Sequence, residues 1–599
     1  MMKSQKYEVN QYPIETILNW INADELAVPE IQRPFVWDST QVRKLIDSLY
    51  QGYPVGYLIS WKDPSIRLKD GSKSEGKRIL IDGQQRVTGL MTAILRKSII
   101  NKEYKKIRIQ IAFEPVEERF EVFNPAIEKD VRWIPDISPI VDNTASIRKV
   151  TDDYCKKNPK ATVEAVDRNL ERLRQIGKKQ LGFIELDPGL DIDTVTEIFV
   201  RVNQTGVTLS QADFVMSKIA SYGDGAGSNL RKCIDLFCHL AAAPEFYNNI
   251  VENEHEFSNT KYMQKIEWLK DEKDDLYDPD YSDLIRVAFT TEFDRGKISD
   301  LVSLLSGRNF ETKEFEPQIK KETFERLDKS VLNFVNETNF KRFLMIIKSA
   351  GFIIKELYQG TGLLNASYIL YLKLKQLNFE SAKIEKLVKK WFVISALTSR
   401  YSGAVDSTYD ADVKNMTKDG FEKYLENIEK TELSDAFWNV GLITELAKYN
   451  LGSPFLGVFF AACVYDNSKG FLSRDITIRE LLTDRGDIHH IFPRNYLKKN
   501  LRHRKDYNQL ANLVYTQQEI NIKIGNKPPK EYFSDVIKQC NGGSLKYGGI
   551  NDMKMLKENL KQNCIPESIF EVTIDDYDKF LEERRILMAE TIRNYYFAL

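Results

Sequence analysis

The spacing of hydrophobic and polar residues changes along the chain and divides it into regions of different character. Up to about residue 219, short amphipathic stretches such as residues 41–50 alternate with short apolar runs such as residues 55–61, which is typical of mixed α/β structure. From about residue 230 to 449, apolar residues recur at spacings of three and four, as in residues 340–357 and 366–377. The pattern therefore predicts a mixed α/β region followed by a helical one.

The last part of the chain differs from both of these regions. Beyond about residue 450 it carries adjacent histidines, a basic run and several asparagines, before helical spacing returns near residues 577–595. A chain of 599 residues is too long for one hydrophobic core. We therefore predict an α+β multidomain protein with an α/β domain at residues 1–220, a helical middle domain at 221–449 and a third domain at 450–599.

Composition favours a soluble, cytoplasmic protein. The formal net charge is -1, so a nucleic-acid surface requires local clustering of Lys and Arg. The six cysteines contain no Cys-x-x-Cys pair, which argues against a zinc site and favours reduced thiols. Residues 1–10 are polar, and the longest apolar stretch, residues 455–465, is far shorter than a membrane span. We expect neither a signal peptide nor a membrane segment.

Two adjacent histidines, His489 and His490, are the main candidates for chemistry. Neighbouring side chains on a strand point to opposite faces, so two functional histidines at this spacing need different tasks. One can hold a metal ion while the other reaches the substrate. Asn512 and, nine positions later, Asn521 follow downstream. A satisfied pair of core histidines is the alternative interpretation, and the spacing of the asparagines favours a site instead.

A dense basic run follows the histidine pair. Between residues 494 and 505 there are six Lys and Arg residues and no acidic one: Arg494, Lys498, Lys499, Arg502, Arg504 and Lys505. Such a run can make several salt-sensitive contacts to phosphates. A solvated helix face is the usual interpretation of a charge run, but the position beside the histidines favours DNA binding.

The second candidate site is the segment Asp82-Gly83-Gln84-Gln85-Arg86. A predicted strand at residues 78–81 leads through it into a helix that begins near Val87, so Gly83 permits an anion to approach free backbone N–H groups. Arg86 can bind a phosphate, and Asp82 can hold a metal ion or act as a base. Gln84 and Gln85 can position water or a sugar. For this motif alone, a turn that caps the helix is the default interpretation.

Together these motifs resemble GmrSD-type modification-dependent (type IV) restriction endonucleases. Residues 82–86, with residues 29–37 and residues 198–203, resemble the ParB/sulfiredoxin-like N-terminal domain of that family. Residues 483–532 resemble the ββα-metal fold of HNH nucleases, and Trp391 with residues 400–403 resembles a segment of the helical middle of fused forms. The resemblance covers nearly the whole chain.

In the HNH region the resemblance implies a role for each polar residue. His489 and Asn521 would bind a divalent cation, His490 would be the general base, and Asn512 would orient that base. Asn521 stands where many HNH nucleases have histidine. A set of oxygen and nitrogen ligands suits Mg²⁺ or Mn²⁺ better than zinc, and a neutral imidazole can take a proton from water near pH 7.

In the N-terminal domain the resemblance implies binding and hydrolysis of a nucleoside triphosphate. The nucleotide or phosphate contacts would come from Asp82, Gly83, Gln84, Gln85 and Arg86, supported by Arg33, Arg201 and Asn203. The expected function is a nucleotide-dependent DNA endonuclease that cleaves modified phage DNA. Which modification and which nucleotide are involved stays open.

Two other functions stay open on the sequence. The first is a ParB-like nucleic-acid-binding regulator with an inactive HNH region, against which Asn521 argues because its amide oxygen can still bind a metal ion. The second is an RNA-directed nuclease toxin, since phosphate contacts and an HNH site do not distinguish RNA from DNA. Cleavage of both strands by a one-site nuclease would also favour a homodimer.

Overall fold

A computed structural model of the protein describes most of the chain. The described residues are 5–23, 25–27, 37–62, 78–101, 105–188, 190, 194–195, 198, 211–220, 222, 226–314, 316–448, 452–484, 486–500 and 502–599. They form α+β structure, as predicted. They fall into two compact units: unit 1 is Met1–Asp235, Glu245–Gln264 and Val302–Phe324, and unit 2 is Leu236–Pro244, Lys265–Leu301 and Glu325–Leu599. The division into three domains stays a prediction.

Unit 1 is built on a mixed sheet. Its strands and those of two small hairpins are β1 Tyr7–Pro13, β2 Leu26–Ala27, β3 Tyr57–Lys62, β4 Arg78–Asp82, β5 Ile99–Ile100, β6 Lys106–Ile107, β7 Ile111–Glu114, β8 Arg119–Val122 and β9 Gln180–Leu186. The order in the five-stranded sheet is β1-β9-β3-β4-β2. β3 runs parallel to β9 and antiparallel to β4. The small sheets pair β5 with β6 and β7 with β8.

The two faces of this sheet bury different sets of side chains, because successive strand residues point to opposite sides. Leu80 and Phe183 belong to the larger hydrophobic core. Trp61 and Ile81 belong to a smaller cluster. The larger core also contains the apolar faces of helices within residues 14–176, so most of the burial against this sheet lies on that side.

The helices in the first half of the chain are mostly short. They are α1 Ile14–Asn22, α2 Ser39–Gln51, α3 Gln84–Ala93, α4 Pro125–Lys129, α5 Ser138–Val141, α6 Ile147–Lys157, α7 Val163–Arg174, α8 Gln211–Ala220, α9 Ala226–Ala242, α10 Tyr247–Asn253, α11 His255–Ser258, α12 Lys261–Ile266, α13 Tyr281–Phe293 and α14 Ile298–Leu305. α2 shows how the sequence sets their ends. The Asp38 carboxylate accepts from the Gln41 N–H at 2.7 Å to start it, and Gly52 ends it at φ 78°.

The junction of β4 and α3 contains residues 82–86. β4 ends at Asp82 and α3 begins at Gln84, earlier than the start predicted near Val87. Gly83 lies between them at φ 91°, where a Cβ atom would be 2.2 Å from Leu58 Cδ2. Only glycine fits this turn, because both the backbone conformation and the space exclude a side chain.

The rest of the chain is mainly helical. Its helices are α15 Pro317–Phe334, α16 Glu337–Ser349, α17 Gly362–Gln376, α18 Ser381–Leu397, α19 Val405–Asp419, α20 Phe421–Glu432, α21 Leu442–Leu446, α22 Pro454–Tyr465, α23 Ile478–Thr483, α24 Arg494–Lys499, α25 Arg504–Tyr507, α26 Gln518–Ile524, α27 Pro529–Cys540, α28 Met553–Gln562 and α29 Tyr577–Ala598. The strands β10 Gly486–His490 and β11 Leu513–Gln517 form a separate two-stranded sheet. No described helix has the length and apolar character required to cross a bilayer.

Arg400, which the sequence analysis noted together with Trp391, is part of a buried ion-pair cluster in unit 2. The Arg400 guanidinium pairs with the Asp412 carboxylate, whose side chain is 4% exposed, and lies 5.4 Å from the centre of the Trp391 ring. Tyr401 and Tyr424 both donate hydrogen bonds of 2.7 Å to the same carboxylate. A buried ion pair with these additional hydrogen bonds is fully satisfied, so it joins the segment after α18 to the middle of α19 and the start of α20 in unit 2.

Candidate functional site

Two strands and a helix carry the histidine pair. β10 runs antiparallel to β11, with His489 opposite Val514 and His490 opposite Leu513. β11 leads directly into α26, which contains Asn521. Since neighbours on a strand point to opposite faces, the two histidines meet different surroundings. The short helices α24 and α25 lie between the two strands in the chain, and α26 after β11 brings an amide to one of the two histidines.

His489 is buried against this amide. It is 3% exposed, and its Nδ1 lies 2.6 Å from Asn521 Oδ1. An amide oxygen can only accept, so Nδ1 carries the proton in this contact. The ring also stacks on Phe471, with centroids 6.1 Å apart. Burial lowers the pKa of His489 to about 4, so its imidazole is neutral near pH 7.

Asp487 orients the amide of Asn521. Asn521 Nδ2 donates to Asp487 Oδ2 at 3.3 Å, which turns Oδ1 towards His489. Asp487 and His489 are two positions apart on β10 and share one face of it. Sequence reasoning gave Asp487 no role, although this spacing of two was a signal that could have found it.

The donors around His489 suit a partly hydrated divalent cation. Nδ1 and Oδ1 already converge, and adjacent ligands in an octahedral shell lie about 3 Å apart, so the pair would admit the ion after a small opening and after the proton of Nδ1 has moved to Nε2. The other ring nitrogen, Nε2, is buried and has no hydrogen-bond partner among the described residues. In the described part of the chain, no cluster of three or more His, Cys, Asp or Glu side chains could hold a metal. A cation here would therefore depend on the amide oxygen of Asn521.

His490 ends β10 and has a different environment. Its Nε2 lies 3.1 Å from Asn508 Oδ1, and its ring packs edge-on against Tyr507, with centroids 6.4 Å apart. Burial lowers the pKa of His490, which the hydrogen bond with Asn508 partly opposes. A neutral imidazole is the form that a general base requires. Sequence spacing gave no signal for Asn508, because its contact depends on how residues 491–507 fold back.

Asn512 holds the backbone that follows His490. It is fully buried; its Oδ1 accepts from the Phe492 N–H at 2.9 Å, and its carbonyl accepts from the Ile491 N–H at 2.8 Å. Its Nδ2 donates to the Tyr507 carbonyl at 3.0 Å. Asn512 thus touches the backbone next to the proposed base, not the imidazole ring. Its part in orienting His490 stays a prediction.

Arg584 supports the same loop from the last helix. Its guanidinium is fully buried and donates from Nη1 to the carbonyls of Ala511 and Leu513, at 2.7 and 2.9 Å. Nη2 donates to the Asn563 carbonyl at 3.1 Å. Burial lowers the pKa of Arg584 to about 10. These bonds fix the backbone on both sides of Asn512.

The histidines open onto a polar cavity of about 470 Å³. It is lined by Ile488, His489, His490, Pro493, Arg494, Asn495, Lys498, Asn521, Gly525 and Asn526. Of the predicted basic residues, Arg494 and Lys498 are therefore at the cavity, and both cations lie over the Tyr507 ring. Arg502 is instead paired with Asp578 at 2.8 Å. Lys499, Arg504 and Lys505 are exposed and lie outside the lining.

The N-terminal candidate site has internal partners for its charges. Arg86 Nη2 lies 3.0 Å from Asp82 Oδ2, and Nη1 donates to the Val55 carbonyl at 2.9 Å. Gly56 lies at φ 87°, where a Cβ atom would be 2.5 Å from Arg86 Nη1. The structure thus brings Asp82 and Arg86 together and joins them to the turn before β3.

Of the other residues predicted for this site, the structure describes Gln84 and Gln85 but not the three supporting residues. Gln85 Oε1 accepts from the Trp37 N–H at 3.3 Å, and Gln84 is 8% exposed. Arg33, Arg201 and Asn203 lie outside the described residues. Their predicted support of a nucleotide stays a prediction, as does nucleotide binding by residues 82–86.

Comparison with known proteins gives two findings. The chain is 23% identical to an uncharacterized protein of Methanocaldococcus jannaschii, over 95% of this chain and 96% of that protein. Residues 14–220 match the family described as GmrSD restriction endonuclease, N-terminal domain. The predicted resemblance is thus confirmed for the N-terminal part, while the HNH assignment and the nucleotide remain predictions. The N-terminal part of the chain is similar to the N-terminal domain of GmrSD restriction endonucleases, which supports a restriction endonuclease.

Proposed function

We propose that the protein is a nucleotide-dependent DNA endonuclease of the type IV restriction kind, with its hydrolytic site at the β10–β11–α26 segment. The observation that carries this proposal is the convergence of His489 Nδ1 and Asn521 Oδ1 to 2.6 Å beside a second histidine in one polar cavity. A purely structural histidine pair would not need a cavity lined by two cations. The match of the N-terminal part to a restriction endonuclease family supports DNA as the substrate.

His489 and Asn521 would hold a Mg²⁺ or Mn²⁺ ion, with Asp487 keeping the Asn521 amide in place. When bound, such an ion stabilises negative charge on the phosphate and on the departing oxygen. Because both donors are neutral, they leave most of the positive charge available to the phosphate. Water would complete the shell, as expected where Mg²⁺ has few protein ligands.

His490 acts on the attacking water. Its neutral imidazole takes one proton from water while the water oxygen forms a bond to phosphorus and the bond from phosphorus to the 3′ oxygen breaks. Arg494 and Lys498, which line the same cavity, bind the phosphate oxygens and hold the backbone of the substrate in line with the base. Asn512 and Arg584 keep the loop behind His490 rigid.

Nucleotide binding is assigned to the β4–α3 turn. The N-terminus of α3 follows Gly83. Free backbone N–H groups and the helix dipole favour the binding of a phosphate there. Arg86 lies at this turn but is held by Asp82. A triphosphate would compete with the carboxylate for the guanidinium, so binding would exchange one partner of Arg86 for another.

The test uses the full-length protein with Mg²⁺ or Mn²⁺, a nucleoside triphosphate, and plain DNA, modified phage DNA and RNA in parallel. His490→Ala should lower DNA cleavage by at least about 100-fold while nucleotide hydrolysis continues. Arg86→Ala should abolish nucleotide hydrolysis. His255→Ala, at an exposed histidine of unit 1, should change neither rate. Retained cleavage by His490→Ala would refute the site, cleavage of RNA alone would refute the substrate, and DNA binding without cleavage by the wild type would indicate a regulator.

A further inference from the structure

We infer that Asn508 is a positioning residue that keeps the proton of His490 on Nε2 and leaves Nδ1 as the nitrogen that accepts the proton from water. This inference rests on the proposed function, since it concerns the base of the same site. It adds a residue that neither the motif spacing nor the family resemblance assigns, and it specifies which atom of His490 reacts.

The contact itself fixes the tautomer. Asn508 Oδ1 lies 3.1 Å from His490 Nε2, and an amide oxygen has no proton to give. The contact is therefore a hydrogen bond only when Nε2 carries the proton. In a neutral imidazole the other nitrogen then has the free electron pair. Among the described residues Nδ1 has no hydrogen-bond partner, while the ring lines the cavity.

Asn508 is held in place from both sides. It follows α25, and its N–H donates to the Arg504 carbonyl at 3.2 Å. The preceding residue, Tyr507, is 5% exposed and packs against the His490 ring. The Tyr507 carbonyl accepts from Asn512 Nδ2 at 3.0 Å. The backbone that carries Asn508 is thus tied to the loop behind His490 by a buried hydrogen bond, which keeps the amide within reach of the ring.

Each of the two histidines contacts one amide oxygen. Asn521 meets His489 at Nδ1, whereas Asn508 meets His490 at Nε2. Because the bonded nitrogens differ, the free nitrogens differ as well. His490 is left with Nδ1 for the substrate, and the strand geometry places the two rings on opposite faces.

The direct test is the tautomer of His490 in full-length protein labelled with ¹⁵N-histidine. The chain has five histidines, so the His490 signals can be assigned by their loss in His490→Gln. We expect a protonated Nε2 and an unprotonated Nδ1 in the wild type without metal, and a mixture of tautomers in Asn508→Leu. A wild-type ring protonated on Nδ1, or an unchanged tautomer in Asn508→Leu, would overturn the inference.

The kinetic test separates positioning from folding. Asn508→Leu, which has a similar volume and no acceptor, should lower kcat about 10- to 100-fold with little change in KM. Asn508→Asp, which restores an acceptor oxygen, should recover most of that loss. Asn500→Leu, at an exposed asparagine of the same region, is the matched control and should behave as wild type. Equal loss in Asn508→Leu and Asn508→Asp would contradict the role.

The two readouts also distinguish this inference from the proposed function. If the wild type does not cleave DNA but the tautomer follows Asn508, the nuclease proposal fails and the hydrogen bond stands. If the wild type cleaves DNA and the tautomer is indifferent to Asn508, the nuclease proposal stands and the positioning role fails.

Discussion

The two candidate sites treat their charged and polar groups in opposite ways. At residues 82–86, Arg86 is already neutralised by Asp82 and by the Val55 carbonyl. At the histidine pair, Arg494 and Lys498 line an open cavity, and Nε2 of His489 has no partner among the described residues. The first site has to exchange a partner before it can bind a phosphate, whereas Arg494 and Lys498 already line the cavity of the second. The difference separates a site suited to sensing from one suited to catalysis.

The largest effect should come from removing the amide oxygen at the histidine pair. Asn521→Ala leaves His489 as the main ligand, so we expect cleavage to fall about 1000-fold, since metal stabilisation of the transition state is worth several kcal/mol. Chelation by EDTA should abolish cleavage in the wild type, and Mg²⁺ or Mn²⁺ should restore it.

The matched control for this variant is Asn526→Ala. Asn526 lines the cavity but has no contact with His489 among the described interactions, so its loss should cost much less than that of Asn521. Binding of Mn²⁺, measured by its paramagnetic resonance signal, should weaken in Asn521→Ala and not in Asn526→Ala. Equal Mn²⁺ binding by the two variants would show that the cavity does not use this amide.

An intermediate effect is expected when the contacts of Arg86 at the N-terminal site are disturbed. Gly56→Ala places a Cβ atom 2.5 Å from Arg86 Nη1 at a φ of 87°. We expect unfolding of unit 1 to be easier by about 1–3 kcal/mol, because the backbone conformation and the close contact are both unfavourable. The free energy of unfolding, measured with denaturant, and the rate of nucleotide turnover should both fall.

Gly52→Ala separates the cost of the positive φ from the effect of the close contact with Arg86. Gly52 also has a positive φ, 78°, but its nearest atom to a Cβ is Lys179 Nζ at 3.6 Å. It should lose stability without losing nucleotide turnover. Loss of turnover in both variants would mean that Arg86 is not specifically affected.

The smallest effect is expected on DNA binding, when single residues of the basic run 494–505 are removed. Arg494→Ala should weaken DNA binding about tenfold at low salt and reduce the salt dependence by about one counterion. Arg502→Ala should do much less, because its guanidinium is paired with Asp578. Titrations at several salt concentrations give both slopes. The same loss in the two variants would place the DNA over the whole run and not at the cavity.

Much of this architecture follows from local sequence rules. The spacing of apolar residues at 366–377 predicts a helix, and α17 spans Gly362–Gln376. The longer pattern at 340–357 was only partly right, because α16 ends at Ser349 and Gly351 adopts a φ of 96°. That glycine is a break which the hydrophobic pattern alone does not reveal.

The sequence predicts those features of the candidate sites that depend on residues close together in the chain. Adjacent histidines on a strand must face different ways, so their separation follows from the sequence. The contacts of Asn508 with His490 and of Arg86 with the Val55 carbonyl join residues 18 and 31 positions apart. They depend on how loops fold back, which the spacing of hydrophobic residues does not determine. The same limit applies to Arg502, which the sequence places in one run with Arg494 but which pairs with Asp578 in the structure.

The hydrogen bonds of Arg584 have a consequence for the order of synthesis. The carbonyls of Ala511 and Leu513 receive their guanidinium from α29, about seventy residues further along the chain. A ribosome completes β10, β11 and α26 before it makes this helix, so a nascent chain lacks the anchor behind His490. The loop can reach its final rigidity only after α29 has emerged and packed. In an incomplete nascent chain, the backbone behind His490 is therefore less rigidly held than in the complete protein.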